Sequence, residues 1–281
     1  MIVKPEISVI IINYNKPEIT RDCVLSVIKH TQGCQSFEIV VVDNASTEGD
    51  ISIIGNLDAR IKLIKSNVNL GFSKGNNLGI TNANGDVVLL LNNDTILIND
   101  AISICYDILI ADKETGVVGC QLLNPDGSIQ RSVEYFPTIK RLLKQMLRFH
   151  KFFDPVLCKM SYPMQTEHLI KVDWIWGTFY LFKKSLLASM PNQKLPDDFF
   201  MYAEDLQWGY EITKLKLNFI YVPWARVYHL KSDNPFSKKM IKSNLYACLR
   251  KYKGHLYQLT YALFDRFNDY TTNFFKLLYK R

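Results

Sequence analysis

A chain of 281 residues, 48% hydrophobic and 22% charged, is long enough for one large α/β domain or two small domains sharing a cleft, and its composition excludes disorder, repeats and low complexity. No segment approaches the roughly 18 consecutive apolar residues of a membrane-spanning helix. The opening MIVKPEISVIIINYN reads as a strand behind Lys4 and Glu6 rather than a signal peptide, so a cytoplasmic location is expected. The net charge of +7 is concentrated: residues 236–281 hold ten Lys/Arg against Asp265 and Asp269, a net +8 that leaves −1 for everything before them. A basic segment of this kind suits nucleic acid, an anionic membrane surface or an acidic substrate. The six cysteines, Cys23, Cys34, Cys105, Cys120, Cys158 and Cys248, form no CxxC pair and no zinc spacing, which points to reduced and mostly buried thiols.

In chain order, Ile7 to Tyr14 is a near-continuous β-branched run, suited to a parallel strand buried on both faces. Pro17 fits the first turn of the helix that follows, whose apolar face is Val24, Leu25, Val27 and Ile28, and Gly33 ends it. Phe37 to Val42 is a second buried strand, running into Asp43-Asn44-Ala45-Ser46-Thr47. A short third strand is expected at Ile61 to Ile64, a helix at Ser73 to Asn82, and a fourth strand at Asp86 to Leu91 that ends in Asn92-Asn93-Asp94-Thr95. This alternation, with polar clusters just past the strand ends, predicts an open doubly wound sheet whose ligands bind outside the carboxyl ends of the strands. The turns after Ile12, Val42 and Leu91 then make one site from Asn13 to Asn15, Asp43 to Ser46 and Asn92 to Asp94.

The second half reads as a helix at Asn99 to Ala111, an extended stretch at Val117 to Leu123 and a strong turn at Asn124-Pro125-Asp126-Gly127. Thr138 to Lys151 is a basic amphipathic helix, with Ile139, Leu142, Leu143, Met146 and Leu147 on one face. Phe179 to Phe182 and Phe219 to Val222 are expected as strands on either side of a helix from Asp205 to Leu215. After Pro235 the pattern is helical to the end, with a stripe at Leu256, Leu259, Leu263, Phe267, Tyr270, Phe274 and Leu277.

Four constellations carry chemistry. A carboxylate at the mouth of a buried strand, as at Asp94, is costly to desolvate unless a cation or donor sits beside it. Mg²⁺ or Mn²⁺ would supply that partner, completing its shell with water and phosphate oxygens; capping of the next helix accounts for Asp94 equally well. The loop from Asn69 to Gly79 joins close-approach glycines to Lys74, Asn76 and Asn77 ahead of a helix, where amides and Lys74 can meet a phosphate or sugar. It matches neither the Walker loop nor the GxGxxG fingerprint. Glu204 and Asp205 fall at a predicted helix start, either as caps favoured by the helix dipole or as a general base for a hydroxyl nucleophile. His229, after a strand, suits a packed ring or a metal ligand.

Taken in order, Ile11-Ile12-Asn13-Tyr14-Asn15, Val42-Asp43-Asn44-Ala45-Ser46, Asn69-Leu70-Gly71-Phe72, Leu91-Asn92-Asn93-Asp94-Thr95, Trp176-Gly177, Glu204-Asp205 and Tyr228-His229 resemble the inverting GT-A glycosyltransferases, within the bacterial branch that includes rhamnosyltransferases of surface polysaccharide assembly. The resemblance spans Ile7 to about His229. It implies a Rossmann-like mixed sheet with helices on both faces, a glycosyltransferase domain over 1–235 (a nucleotide-sugar half at 1–98 and an acceptor half at 99–235) and a basic, aromatic helical extension over 236–281. It also implies that Asn13, Tyr14, Asn15, Asp43, Asn44, Ser46, Gly71, Phe72, Lys74, Asn76, Asn77 and Asn93 surround a nucleotide diphosphate-sugar, either dTDP-rhamnose-like or a UDP-sugar. Asp94 would answer to the metal-binding aspartate of the D-x-D motif, with His229 completing the shell of Mg²⁺ or Mn²⁺. Asp205 would be the base, with Glu204 the alternative, and Trp176 and Gly177 would lie near the acceptor. Asn92 stands where the motif often has its first aspartate, and Gln207 and Glu211 depart from a common Glu-Asp-x-Asp and later arginine.

A sugar-phosphate nucleotidyltransferase would need a glycine-rich loop with Arg and Lys after Ile12, which is absent. A non-catalytic domain that binds nucleotide-sugar or glycan is the alternative favoured by Asn92 and Gln207. No nucleic-acid module accompanies the basic tail. Its interleaved aromatics, with the helix from 138 to 151, fit peripheral docking on the inner face of an anionic membrane near a lipid-linked saccharide acceptor, or packing and homodimer formation.

Overall fold

A computed structural model describes residues 4–33, 36–146, 168–230 and 238–278. They fall in two compact units, Met1–Glu134 with Gln165–Pro235 and Tyr135–Met164 with Phe236–Arg281. Cys34 and Cys158 lie outside the described residues; Cys23, Cys105, Cys120 and Cys248 are buried free thiols.

The first unit grows from β1 (Ile7–Asn13), whose apolar residues Ile7, Val9, Ile10 and Ile11 are all fully buried, as a strand covered on both faces must be. Pro17 opens α1 (Pro17–His30) with its φ already set for a helix. β2 (Phe37–Asp43), a single turn α2 (Ser52–Gly55), β3 (Ile61–Lys65), α3 (Gly71–Thr81) and β4 (Val87–Asn92) follow. β3, β2, β1 and β4 form a parallel block, in which Asn13 pairs with Asp43 and Ile12 with Asn92. Three polar strand ends therefore finish at one level of the sheet.

Beyond β4 the sheet becomes mixed, in the GT-A pattern. β5 (Thr95–Leu97), α4 (Ala101–Ala111), β6 (Thr115–Leu123), β7 (Ile129–Gln130) and β8 (Val133–Glu134) come next, then β9 (Ile170–Val172), β10 (Trp174–Ile175), β11 (Phe179–Lys183), α6 (Glu204–Lys214) and β12 (Asn218–His229). The order across the main sheet is β3-β2-β1-β4-β11-β6-β12-β5. β11 is antiparallel to β4 and β6, and β12 runs parallel to β6 and antiparallel to β5.

Asp94 is not a helix cap: β5 intervenes, and Asp100 caps α4 by accepting from Ser103 N at 3.2 Å. The single strand expected at Phe219 to Val222 runs on to His229, bent by a register shift between Val222 and Arg226 around Pro223, which cannot donate to a ladder. The four short strands β7 to β10 have two or three residues each, too few for alternation to reveal them.

In the second unit, α5 (Ile139–Met146), α7 (Lys238–Lys253) and α8 (His255–Leu278) pack around Leu142, Leu249 and Tyr261. The helix expected to run to Lys151 is described only to Met146; its remainder lies outside the described residues. The C-terminal helix is broken at Gly254, where φ is +91°, a conformation open to glycine at little cost. Lys242 of α7 bonds Asp265 at 2.7 Å and also Asp269, and the Tyr246 hydroxyl donates to Asp265 at 2.6 Å. Leu256, Leu259, Leu263, Phe267 and Tyr270 of α8 stay more than half exposed.

Besides capping α4, Asp100 accepts from Gln32 N (3.1 Å) and Gly33 N (2.7 Å), tying down the end of α1. Asp100→Ala should therefore lower unfolding stability by about 1–2 kcal/mol, read from the midpoint of urea denaturation at unchanged slope.

Candidate active site

The first turn is fixed by a buried amide. Asn13, with no exposed surface, donates from Nδ2 to Asp43 Oδ1 and Ser46 Oγ, both at 3.0 Å, while its Oδ1 accepts from the Thr20 hydroxyl at 2.7 Å. Ser46 adds its own hydroxyl to Asp43 Oδ1. One carboxylate oxygen of Asp43 is thus held by two donors, and Oδ2 takes no hydrogen bond among the described residues. Asn15 and Ala45 turn the chain with φ of 54° and 62°, and Asn15 Oδ1 accepts from Thr47 N and Glu48 N at 2.8 and 3.2 Å. Tyr14 is half-exposed at the rim.

Asn44 joins this turn to the start of α3. Its Nδ2 donates to Asn69 Oδ1 (3.0 Å) and Gly71 O (3.2 Å), and its Oδ1 accepts from Leu70 N (2.9 Å). Gly71 has φ +74°, and a Cβ there would lie 2.3 Å from Phe200 O; no other residue fits. Phe72 N donates to that same carbonyl at 2.8 Å. Asn76 bonds back to Phe72 O, and Asn77 exchanges two hydrogen bonds with the backbone of Leu195. Their amides tie α3 in place, and Lys74 is exposed.

At the end of β4, Asn93 donates to Thr20 Oγ1 at 2.9 Å, joining this exit to Asn13. Asp94 and His229 are both buried. They are 135 positions apart in sequence, but β5 pairs His229 with Thr95, and Leu230 N donates to Asp94 O at 2.8 Å. The register leaves His229 Nε2 3.3 Å from Asp94 Oδ1. Two residues earlier, Asn92 Oδ1 is buried with no partner among the described residues. No group of three or more His, Cys, Asp or Glu placed to hold a metal ion occurs among the described residues. A nitrogen and a carboxylate side by side fit Mg²⁺ or Mn²⁺, which take few protein ligands and fill the rest of the shell from water and phosphate.

α6 begins on strained backbone: Tyr202 and Ala203 have φ of 68° and 70°, costing about 1 kcal/mol or more each. This presents Glu204 and Asp205 at the helix start. Burial pushes Glu204 well above the usual carboxyl range, and the charge of Asp205 adds to it; its Oε2 has no partner among the described residues. Burial also raises Asp205, to about 6, against the amides of Leu206 (2.8 Å) and Gly177, which favour the anion. Thr178, next to Gly177, accepts from Asn92 N at 3.0 Å. One dipeptide therefore touches both the Asp205 carboxylate and the exit of β4. Gly177 also leaves room for Phe72, whose ring carbon would lie 2.8 Å from a Cβ there. Trp176 is half-buried and bonds Ser132 O through its amide. Gln207 donates to Asp198 at 2.6 Å, leaving its own oxygen buried without a partner among the described residues.

The sequence did not single out Thr20, Gln130, Thr178, Phe200 or Trp208. Trp208 is fully buried, stacks on Phe72 at 6.1 Å and donates to Pro196 O at 2.9 Å. Thr20, Gln130 and Trp208 act through side-chain hydrogen bonds, and Thr178 and Phe200 through backbone carbonyls, to partners in other segments of the chain, for which no local spacing exists.

Residues 8–175 match the family model described as Glycosyl transferase family 2. An uncharacterized glycosyltransferase of Haemophilus influenzae is 33% identical over 99 residues, covering 34% of this chain and 39% of that protein. The N-acetylglucosaminyl-diphospho-decaprenol L-rhamnosyltransferase of Mycobacterium tuberculosis is 23% identical over 213 residues, 70% of this chain and 67% of that one. A mannosyltransferase of Pyrobaculum calidifontis, solved with GDP-Man and Mn²⁺, shares the fold with a TM-score of 0.65 at 16% identity, over 96% of this chain and 72% of its own. The matched stretch is thus well under half the length of the Haemophilus relative.

A raised Asp205 has a definite effect on stability. The folded state holds this proton more tightly than an unfolded aspartate near 3.9 does, so its contribution is most favourable at low pH and is lost as pH rises through about 6. Urea midpoints should fall across that window in the native protein, and Asp205→Asn should flatten the decline.

Proposed function

Because the chain belongs to glycosyl transferase family 2, we propose that it is a metal-dependent, inverting hexosyltransferase that moves a sugar from a nucleotide diphosphate-sugar to a hydroxyl of a growing, lipid-linked bacterial surface polysaccharide. The observation that carries this reading is the Gly177–Thr178 dipeptide, which hydrogen-bonds the raised Asp205 carboxylate on one side and the strand end leading to Asp94 on the other. A base and a diphosphate site linked through one dipeptide suit attack at an anomeric carbon between them. The rhamnosyltransferase among the relatives favours a dTDP-rhamnose-like donor, with a UDP-sugar as the other candidate.

In this reading Asp43 Oδ2 accepts from the nucleoside. Tyr14, Asn15, Lys74 and Asn93 border the donor, while Asn13, Asn44, Ser46, Gly71, Phe72, Asn76 and Asn77 hold the loops in shape. Asp94 and His229 hold Mg²⁺ or Mn²⁺, which supplies charge stabilisation to the leaving diphosphate. Asp205 accepts the proton of the acceptor hydroxyl as its oxygen bonds to the anomeric carbon and the bond to the diphosphate breaks, inverting that carbon. Glu204, more strongly raised and with an oxygen lacking a partner, stays protonated and is the poorer base. Trp176 and Gly177 border the acceptor.

Asp205→Asn should cut donor turnover by roughly 10²- to 10⁴-fold while nucleotide binding persists. The residual pH dependence should lose the limb that rises through about 6 in the native enzyme. Full turnover by Asp205→Asn would instead favour a chain that binds nucleotide-sugar or glycan without this catalysis. With one carboxylate at the cation site, Mn²⁺ should bind weakly alone and tightly only with nucleoside diphosphate, as calorimetry can measure.

In this reading the second unit docks on the membrane that carries the acceptor's lipid. Among the described residues no helix is long and apolar enough to cross a membrane, but the exposed stripe of α8 and the +8 charge of residues 236–281 suit the inner face of an anionic bilayer. Sedimentation with phosphatidylglycerol vesicles at low salt should carry the protein down, and Leu259→Glu with Leu263→Glu should abolish it. A shift in oligomeric state with no vesicle binding would make the stripe a dimer face.

A further inference from the structure

The turn at Asn124-Pro125-Asp126-Gly127 stands at one end of a hydrogen-bond chain whose other end is His229. Hydrogen bonds from the Ser128 hydroxyl and amide hold Asp126 below the usual carboxylate range, so it is ionised at neutral pH and can only accept. The Ser128 hydroxyl accordingly donates to Asp126 Oδ1 at 2.6 Å, and its oxygen accepts from Asn124 Nδ2 at 2.9 Å. This turns Asn124 Oδ1 toward Gln130, whose Nε2 donates to it at 2.8 Å and to the His229 carbonyl at 3.4 Å. Gln130 Oε1 is then the atom 2.5 Å from His229 Nδ1. An amide oxygen has no proton to give, so Nδ1 carries the hydrogen. Both side chains are buried, Gln130 with 3% of its surface exposed and His229 with 8%, so solvent does not offer the ring another partner.

We propose that Gln130 is a positioning residue for His229: oriented by the Asn124–Ser128 turn, it keeps the hydrogen on Nδ1 so that the Nε2 lone pair faces Asp94 as a cation ligand. The final clause rests on the reading of Asp94 and His229 as the cation site; the position of the hydrogen does not. A partner of this kind fixes ring orientation and raises the basicity of the ligating nitrogen. It also explains a polar residue on the two-residue strand β7, where an apolar one would pack as well.

The test uses the full chain with ¹⁵N-labelled histidine, the His229 signals being identified by their loss in His229→Ala. The native protein should show a protonated Nδ1, both alone and with Mg²⁺ and UDP. Gln130→Met removes the acceptor at similar volume. It should move the hydrogen toward Nε2 and weaken Mn²⁺ binding in the presence of UDP by roughly 10- to 100-fold. Gln130→Glu retains an acceptor in the same place and should restore both the Nδ1 hydrogen and most of the affinity. If Gln130→Met does not fold, Asn124→Leu, at the half-exposed turn, frees the Gln130 amide to flip and should give a smaller shift in the same direction. A bare Nδ1 in the native protein, or an unchanged histidine pattern in Gln130→Met and Asn124→Leu, overturns the proposal. Equal loss of Mn²⁺ affinity in the Met and Glu variants overturns it too, since a purely structural role would act that way. A protonated Nδ1 in a native protein that binds no Mn²⁺ with UDP supports the positioning by Gln130 and overturns the cation reading alone.

Discussion

The constraint on which the rest depends is the in-register pairing of β2, β1 and β4. Asn13 opposite Asp43 and Ile12 opposite Asn92 end three buried apolar strands at one height. Each strand then turns abruptly from residues that must avoid water to residues that need a polar partner. The side chains satisfy one another first, through Asn13, Thr20, Ser46 and Asn44, and Asn92 Oδ1 is left buried without a partner among the described residues. A slip of one residue in either pairing would send Asn13 or Asp43 to the opposite face.

A second principle is that distant chemistry is joined through backbone atoms. Gly177 and Thr178 connect Asp205 to the end of β4, and Phe200 O receives Phe72 N where Gly71 makes room. The bonds from Asn92 N to Thr178 O and from Phe72 N to Phe200 O do not depend on side-chain rotamers and lose no side-chain entropy. Left-handed residues concentrate at the same places, Asn15 and Ala45 at one turn and Tyr202 and Ala203 before α6. Strain held beside two buried carboxylates is stability given up for placement.

Much of this was legible in the residues. The apolar runs announced β1, β2 and β4, and the polar clusters after them marked the strand ends that converge. The order of those clusters also carried the family. What the sequence concealed was the identity of partners. Asp94 reads equally as a cap until β5 is seen to intervene, because three residues are too few to show alternation. Asn77 bonds the backbone of Leu195, in a loop more than a hundred residues away, a partner that no local spacing points to. Gln130 carries no local mark; its importance comes from pairing across the sheet with His229.

The pairing of His229 with Thr95 also has a consequence for biosynthesis. A chain emerging from the ribosome can assemble β1 to β4 and their turns early, since these are neighbours in sequence and domains tend to fold from the N-terminus. The contact of Asp94 with His229 must wait until β12 has been made and paired with β6. A nascent or truncated chain ending before residue 229 would hold the turns after β1, β2 and β4 without the histidine, so Asp94 and His229 meet only when nearly the whole first unit exists.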